Sequence, residues 1–342
     1  MLLLLIQGKM DWKLEWVNED DINMILKRSK KEQGKPQPKE ITTRQNAKMI
    51  VKLIENYNEP ISVVNDIFNY KQIDEFLKDK SDSTKRNYYG VLRDLAFYDK
   101  FVNQKDNQDI LDYFYKKVGE LQKDIQQKEQ KGEMSQTKTI KMEISDADIE
   151  TLLNSLKENG HKREYVIFSI LNQYPIRAEI ANFVLIGLKD YNKKKKDGTL
   201  GDGNFLINGT RKISMSRGDF KTSPIYGRIE TELTGTAKKI VKEYLKSENI
   251  TEGQSVFGFS SNEEMAKRLT YISGKYLKTT SLSVNSLAKL VIKRNITALH
   301  KSEMFKNALP VEQTQMDKKL MEQLAQIRGT STEILYNSYL RN

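Results

Sequence analysis

The chain has 342 residues, enough for two domains and a sizeable core in at least one. Lysine and arginine outnumber aspartate and glutamate 57 to 46, a net charge of +11 that points to an anionic partner, nucleic acid first. Cysteine is absent and histidine occurs twice, at His161 and His300, which excludes disulfides, thiolate zinc sites and a cysteine nucleophile and argues against a multi-histidine metal site.

Residues 1–6 are apolar but too brief to span a membrane, and they lack a basic n-region and a cleavage site. They read as a strand or packing segment. No other stretch approaches a span, so a soluble intracellular protein is expected. Residues 11–28 predict a small helix with Ile22, Ile25 and Leu26 on one face. Residues 29–40, with Gly34, Pro36 and Pro38, read as a linker.

A helical set follows. Thr43 is placed to cap a helix bearing Ala47, Ile50, Val51 and Ile54. Pro60 opens a second with Val63, Val64 and Ile67, and a third carries Ile73, Phe76 and Leu77. Asp82 or Ser83 can cap a longer helix with Tyr88, Val91, Leu92, Leu95 and Tyr98. Residues 106–125 add Ile110, Tyr113, Phe114, Val118 and Leu121. Four or five amphipathic helices predict a compact bundle, with Lys85, Arg86, Arg93 and Lys100 on its polar faces. Residues 122–141 lack a sustained apolar periodicity and predict an interdomain linker, open to helix over part of its length. The organisation expected is an extension and linker over 1–42, a helical domain over 43–125, a linker over 126–140 and a second domain over 141–342.

The second domain opens on Ser145-Asp146-Ala147-Asp148, a capping-box-like start, with helices over 145–158 and 162–173. Pro175 then begins a further helix that carries Arg177 in its first turn and runs to Phe183. Next come strand signals. Phe205-Leu206-Ile207 leads into the hairpin turn Asn208-Gly209, Lys212–Met215 returns, and 225–233 alternates. Between the last two lies Asp219-Phe220-Lys221-Thr222-Ser223, which places a lysine at the second turn of a small antiparallel sheet. Helices resume over 235–247, 261–277, 283–300 and 312–327. The fold class expected is therefore mainly α with a small antiparallel β-sheet. No glycine-rich phosphate loop precedes a helix, so nucleoside triphosphate chemistry is not indicated. Gly329 suits a helix C-cap, Thr330 or Ser331 suits the next N-cap, and Tyr336 and Tyr339 lie on the helix that follows.

These pieces, in this order, resemble the tyrosine recombinases, also called phage-type integrases, over about residues 43–342. Tyr174-Pro175-Ile176-Arg177 looks like the first arginine box, with an acid, Glu179, two positions on instead of three. Asp219–Gly227 looks like the lysine hairpin, in a form similar to integrases of large DNA viruses and their parasites. The terminal helix looks like the tyrosine box, with Thr330 in place of the last His or Trp and Tyr339 nine residues on. The second box is the departure: 283–290 fits locally, but the histidine position reads Asn285 and the arginine position reads Ala288. Lys289 lies about 100° from Ala288 around a helix and Arg294 about 240°, so neither replaces an arginine at 288 directly.

The resemblance implies a helical core-binding domain followed by a catalytic domain, double-stranded DNA as partner, and a homo-tetramer on paired DNA sites. It implies no cofactor and no metal, and a viral or mobile-element origin. Its site residues would be Tyr339 as nucleophile, Arg177 on the phosphate and Lys221 as general acid, with Asn285, Lys289 and Thr330 as supporting candidates. Only Leu340, Arg341 and Asn342 follow Tyr339, so no long C-terminal arm is expected to pass between protomers. Three readings stay open: an integrase impaired by Ala288, an inactive DNA-binding derivative, and a type IB topoisomerase. A helical interaction protein without a DNA role is the fourth, and salt-dependent DNA binding separates it from the others.

Overall fold

The computed structural model describes residues 18–35, 38, 40–57, 67–102, 107–130, 145–277 and 281–336. The expected segment at 1–6, the helix opened by Pro60 and the position of Tyr339 lie outside them. The chain divides into two compact units, Met1–Lys131 and Gly132–Asn342.

The first unit is a helical bundle: α1 (Glu19–Glu32), α2 (Glu40–Ile54), α3 (Tyr70–Leu77), α4 (Asp82–Val102) and α5 (Gln108–Gln130). Its core gathers the predicted apolar faces, among them Ile50, Ile73, Leu92 and Phe114. Two expectations change here, the role of α1 and the starts of α2 and α4. Ile22 and Leu26 of α1 are buried in this core, so that segment is part of the bundle and not an extension. Helix α5 runs to Gln130, so the first part of the expected linker is helical, because its Lys, Gln and Glu residues favour helix even without an apolar stripe. Helices α2 and α4 begin elsewhere than read. Thr43 lies inside α2 and donates to the Glu40 carbonyl, while the Ser81 hydroxyl accepts from the Thr84 amide ahead of α4.

The second unit contains α6 (Asp146–Glu158), α7 (Lys162–Leu171), β1 (Val184–Gly187), α8 (Leu188–Lys196), β2 (Phe205–Asn208) and β3 (Ile213–Arg217). Then follow α9 (Ser223–Tyr226), β4 (Ile229–Leu233), α10 (Gly235–Ser247), α11 (Asn262–Leu277), α12 (Val284–Lys301), α13 (Glu303–Lys306), α14 (Pro310–Arg328) and α15 (Thr332–Leu335). The capping box at Ser145 forms, and Ser283 caps α12 in the same way. Helix α7 is buried along Val166–Leu171, as befits a central helix against which others pack.

The fold is mainly α with a small sheet, as expected, but the sheet has four strands in the order β1-β2-β3-β4 and is mixed. β1 pairs parallel to β2, with α8 in the crossover, and only β2–β3 and β3–β4 are antiparallel. The apolar run Val184-Leu185-Ile186 makes the additional strand. The helix expected from Pro175 shrinks to a 3-10 turn over Ala178–Asn182, and Arg177 precedes it in extended conformation. The strand expected over 225–233 starts only at Ile229, because Ser223–Tyr226 coil into α9. Among the described residues no helix is long and apolar enough to cross a membrane.

Candidate functional site

One turn of the second unit gathers three separate stretches of sequence. Helix α14 ends at Gly329, whose backbone is left-handed at φ 68° and ψ 52°, a conformation open to glycine at little cost. A Cβ at this position would stand 2.6 Å from the Phe220 ring, so the turn and the β3–α9 connection are in direct contact. The Gly329 carbonyl accepts from Thr222 Oγ1 at 2.5 Å and from Arg177 Nη2 at 3.3 Å. The arginine segment, the lysine connection and the terminal turn thus meet on a single carbonyl.

Lys221 sits between Phe220 and Thr222, which are both engaged with this turn, and its own side chain is exposed. The connection that carries it is fixed from below by Asn204. That buried amide donates to the Asp219 carbonyl at 2.8 Å and accepts from the Gly218 and Asp219 amides, each at 3.0 Å. Arg177 is half-buried.

Two further arginines, neither picked out from the sequence, lie against the same corner. Arg217, at the end of β3, is fully buried and pairs with Glu179 at 2.8 Å. It also donates to the Ile327 carbonyl. Burial holds the Arg217 guanidinium below its usual pKa; Glu179 opposes that, and the charges of Arg328 and Arg177 add to it. Arg328, the last residue of α14, is 2% exposed. Its Nη1 donates to the Pro175 and Ile176 carbonyls at 3.2 and 2.5 Å, and its Nη2 donates to Asn285 Oδ1 at 2.6 Å. Arginine in the last turn of a helix is so common that Arg328 gave no signal beyond a favourable dipole interaction.

The remaining predicted residues fall as follows. Asn285 is exposed at the start of α12 and tied to Arg328. Ala288, one turn on, is buried. Lys289 is half-buried beside it. Arg294 is engaged with Asn172 and with Asp146 at 2.5 Å. Thr330 is buried, and its amide closes the α14 terminus on the Ala325 carbonyl. Ser331 caps α15, the start of the expected tyrosine helix; Tyr336 at its end is exposed. Tyr339 lies outside the described residues. Among the described residues no group of three or more His, Asp or Glu is placed to hold a metal ion.

In the first unit, Arg86 and Arg93 line a cavity of about 510 Å³ with Lys30, Asp94, Asn46 and Gln122. Lys30 and Arg93 share the single carboxylate of Asp94, at 2.5 and 3.2 Å. Burial and the neighbouring charges of Lys30 and Arg93 hold Lys35 below the usual lysine pKa. The concavity therefore carries an excess of positive charge suited to an anion.

No protein-family model matches the chain, and no curated protein matches it in sequence. Among solved structures it aligns with the crystal structure of XerA recombinase over 95% of this chain and 94% of the other, at 10% identity and a TM-score of 0.37. Likeness at that level is weak, and the functional reading rests on the residues themselves.

Proposed function

We propose that this protein breaks and rejoins DNA strands through a covalent phosphotyrosine. The observation that carries the reading is the Gly329 carbonyl, on which the Arg177 segment and the Lys221 connection converge at the foot of the tyrosine helix. Arg177 would hold the scissile phosphate, since a guanidinium matches the oxygens on which charge grows in the transition state. The Tyr339 hydroxyl oxygen would attack phosphorus, giving up its proton to solvent, as the bond to the 5′ oxygen breaks, leaving a 3′-phosphotyrosine. The ammonium of Lys221 would give its proton to the departing 5′ oxygen. The freed 5′ hydroxyl, or that of another strand, reverses the step and conserves the bond. Asn285, Lys289 and Thr330 stand as supporting residues. The basic cavity of the first unit supports duplex DNA as the partner, and assembly as a tetramer on paired sites belongs to the same proposal.

Ala288 favours a second reading, a DNA-binding derivative that no longer cuts. A denaturing gel of the protein with a nicked suicide duplex separates the two. A covalent adduct lost in Tyr339→Phe but kept in Tyr336→Phe supports the enzyme. Salt-dependent binding without any adduct supports the derivative. Relaxation of supercoiled plasmid by the monomer would assign a topoisomerase instead.

A further inference from the structure

We infer that Arg328 is a positioning residue of this site, one that holds the Arg177 segment against Asn285 and lays a fixed positive charge behind the phosphate position. The inference deepens the functional reading above and rests on it. It comes from where the guanidinium goes. Arg328 leaves the end of α14 and donates to the two carbonyls that immediately precede Arg177. Its other arm donates to Asn285 Oδ1. Asn285 and Ala288 are three residues apart on α12 and share a face, so Arg328 delivers charge to the helix face on which position 288 has only a methyl group.

Charge and burial point the same way. The Pro175, Ile176 and Asn285 oxygens that accept from Arg328 are neutral, so these contacts hold the guanidinium in place and neutralise none of its charge. A guanidinium that is 2% exposed is costly to keep unless an anion or a dense set of acceptors compensates it. Arg217 feels Arg328 and Arg177 together, which puts three guanidiniums around one corner, with Glu179 paired to Arg217. Such an excess is stabilised by a bound phosphate. The charge that position 288 lacks therefore arrives from another element, at the far end of the sequence.

The test uses the full chain and four proteins: the parent, Arg328→Lys, Arg328→Met, and Arg328→Met combined with Ala288→Arg. Adduct rate on the nicked duplex, DNA affinity and Tm are measured for each. Arg328→Met should lower the adduct rate about a hundredfold, while DNA affinity, spread over many phosphates, changes little. Arg328→Lys should recover part of the rate, and the double variant should recover more of it than its effect on Tm explains. An adduct rate in Arg328→Met equal to the parent's would overturn the inference. So would a loss that follows Tm alone and that neither lysine nor Ala288→Arg restores, because a mere strut would behave that way. Should the parent form no adduct, the enzymatic reading fails, and inorganic phosphate becomes the probe. Stabilisation by phosphate that Arg328→Met and Arg177→Gln both abolish would keep the charged corner as an anion site; equal stabilisation of all variants would remove it.

Discussion

Arg177 and Arg328 are cross-laced: each guanidinium donates to a backbone carbonyl next to the other residue. Arg177 reaches Gly329, the residue after Arg328, and Arg328 reaches Ile176, the residue before Arg177. The two segments therefore hold each other, and a change in either arm should displace both. Arg177→Lys keeps the charge but loses the planar fork that can hold a carbonyl and a phosphate oxygen together. The expected result is an adduct rate lowered by about a hundredfold or more with DNA affinity almost unchanged. Single-turnover adduct kinetics beside a binding isotherm checks it.

Gly329→Ala tests the contact that seats the lysine connection. An L-residue in the left-handed region costs roughly 1–2 kcal/mol. The added methyl would also stand 2.6 Å from the Phe220 ring, so Phe220 must move. A Tm fall of about 4 °C or more is expected by scanning calorimetry. Phe220→Leu in the same chain should return part of the loss.

Local signals carried well. The Gly329 stop and the Ser145 capping box are each written within a few residues, and each forms. The hairpin after β2 forms too, but its tip falls one step later, at Thr210-Arg211, with Asn208 still paired to Ile213 and the Gly209 amide bonded to the Lys212 carbonyl. Strand β1 was missed because the short apolar run Val184-Leu185-Ile186 fits a buried helix as well as a strand, and only the pairing with Phe205–Asn208 decides. Arg217 and Arg328 were missed for a related reason. Charged residues are expected at the surface, and the oxygens that bury these two lie 38 to 153 positions away in sequence. Thr222 gave no sign of its role, which depends on a carbonyl 107 residues on. The residue types of the candidate site were legible; the backbone atoms that assemble it were not.

Glu179→Gln should be among the most destabilising single changes in the second unit. The Arg217–Glu179 pair is buried on both sides, with 0% and 5% side-chain exposure. Removing one partner of a buried pair costs about 3–5 kcal/mol, because the other charge stays behind. The variant should unfold at lower denaturant with an unchanged m-value. Arg217→Met combined with Glu179→Leu should be less destabilised than Glu179→Gln, since no orphaned charge remains.

Glu164 should give the stability of the second unit a defined acid dependence. Burial pushes this carboxyl up, but hydrogen bonds from Arg268 and Arg163, at 2.8 and 3.2 Å, outweigh it and hold the pKa below the ordinary 4.5. A carboxyl depressed on folding contributes stability that is fully present above its unfolded pKa and is lost as pH falls through its folded value. At neutral pH Glu164→Gln should cost about 1–3 kcal/mol. The difference between parent and variant should narrow as pH falls below 4.5 and vanish once the parent's carboxyl is protonated. Denaturant midpoints measured across pH 3–7 (about the carboxylate range and above) read this directly. A constant difference down to the lowest pH would refute the ion-pair origin.

Lys221 carries the most specific chemical claim. Its side chain is exposed, while Phe220 and Thr222 on either side are anchored to the Gly329 turn, so the ammonium is free to meet substrate from a fixed base. If it donates the proton to the departing 5′ oxygen, Lys221→Ala should slow adduct formation by about a hundredfold to ten-thousandfold, the range of general acid catalysis. A substrate with sulfur in place of that bridging oxygen offers a leaving group that departs as a thiolate and needs no proton. On that substrate Lys221→Ala should react at nearly the parent rate, whereas Arg177→Lys should stay slow, because the phosphate charge still has to be met. Thr222→Val, which removes the hydroxyl but leaves the lysine, should slow both substrates alike through the loosened turn. A Lys221→Ala defect that persists in full on the sulfur substrate would show that the lysine binds DNA and does not act as the acid.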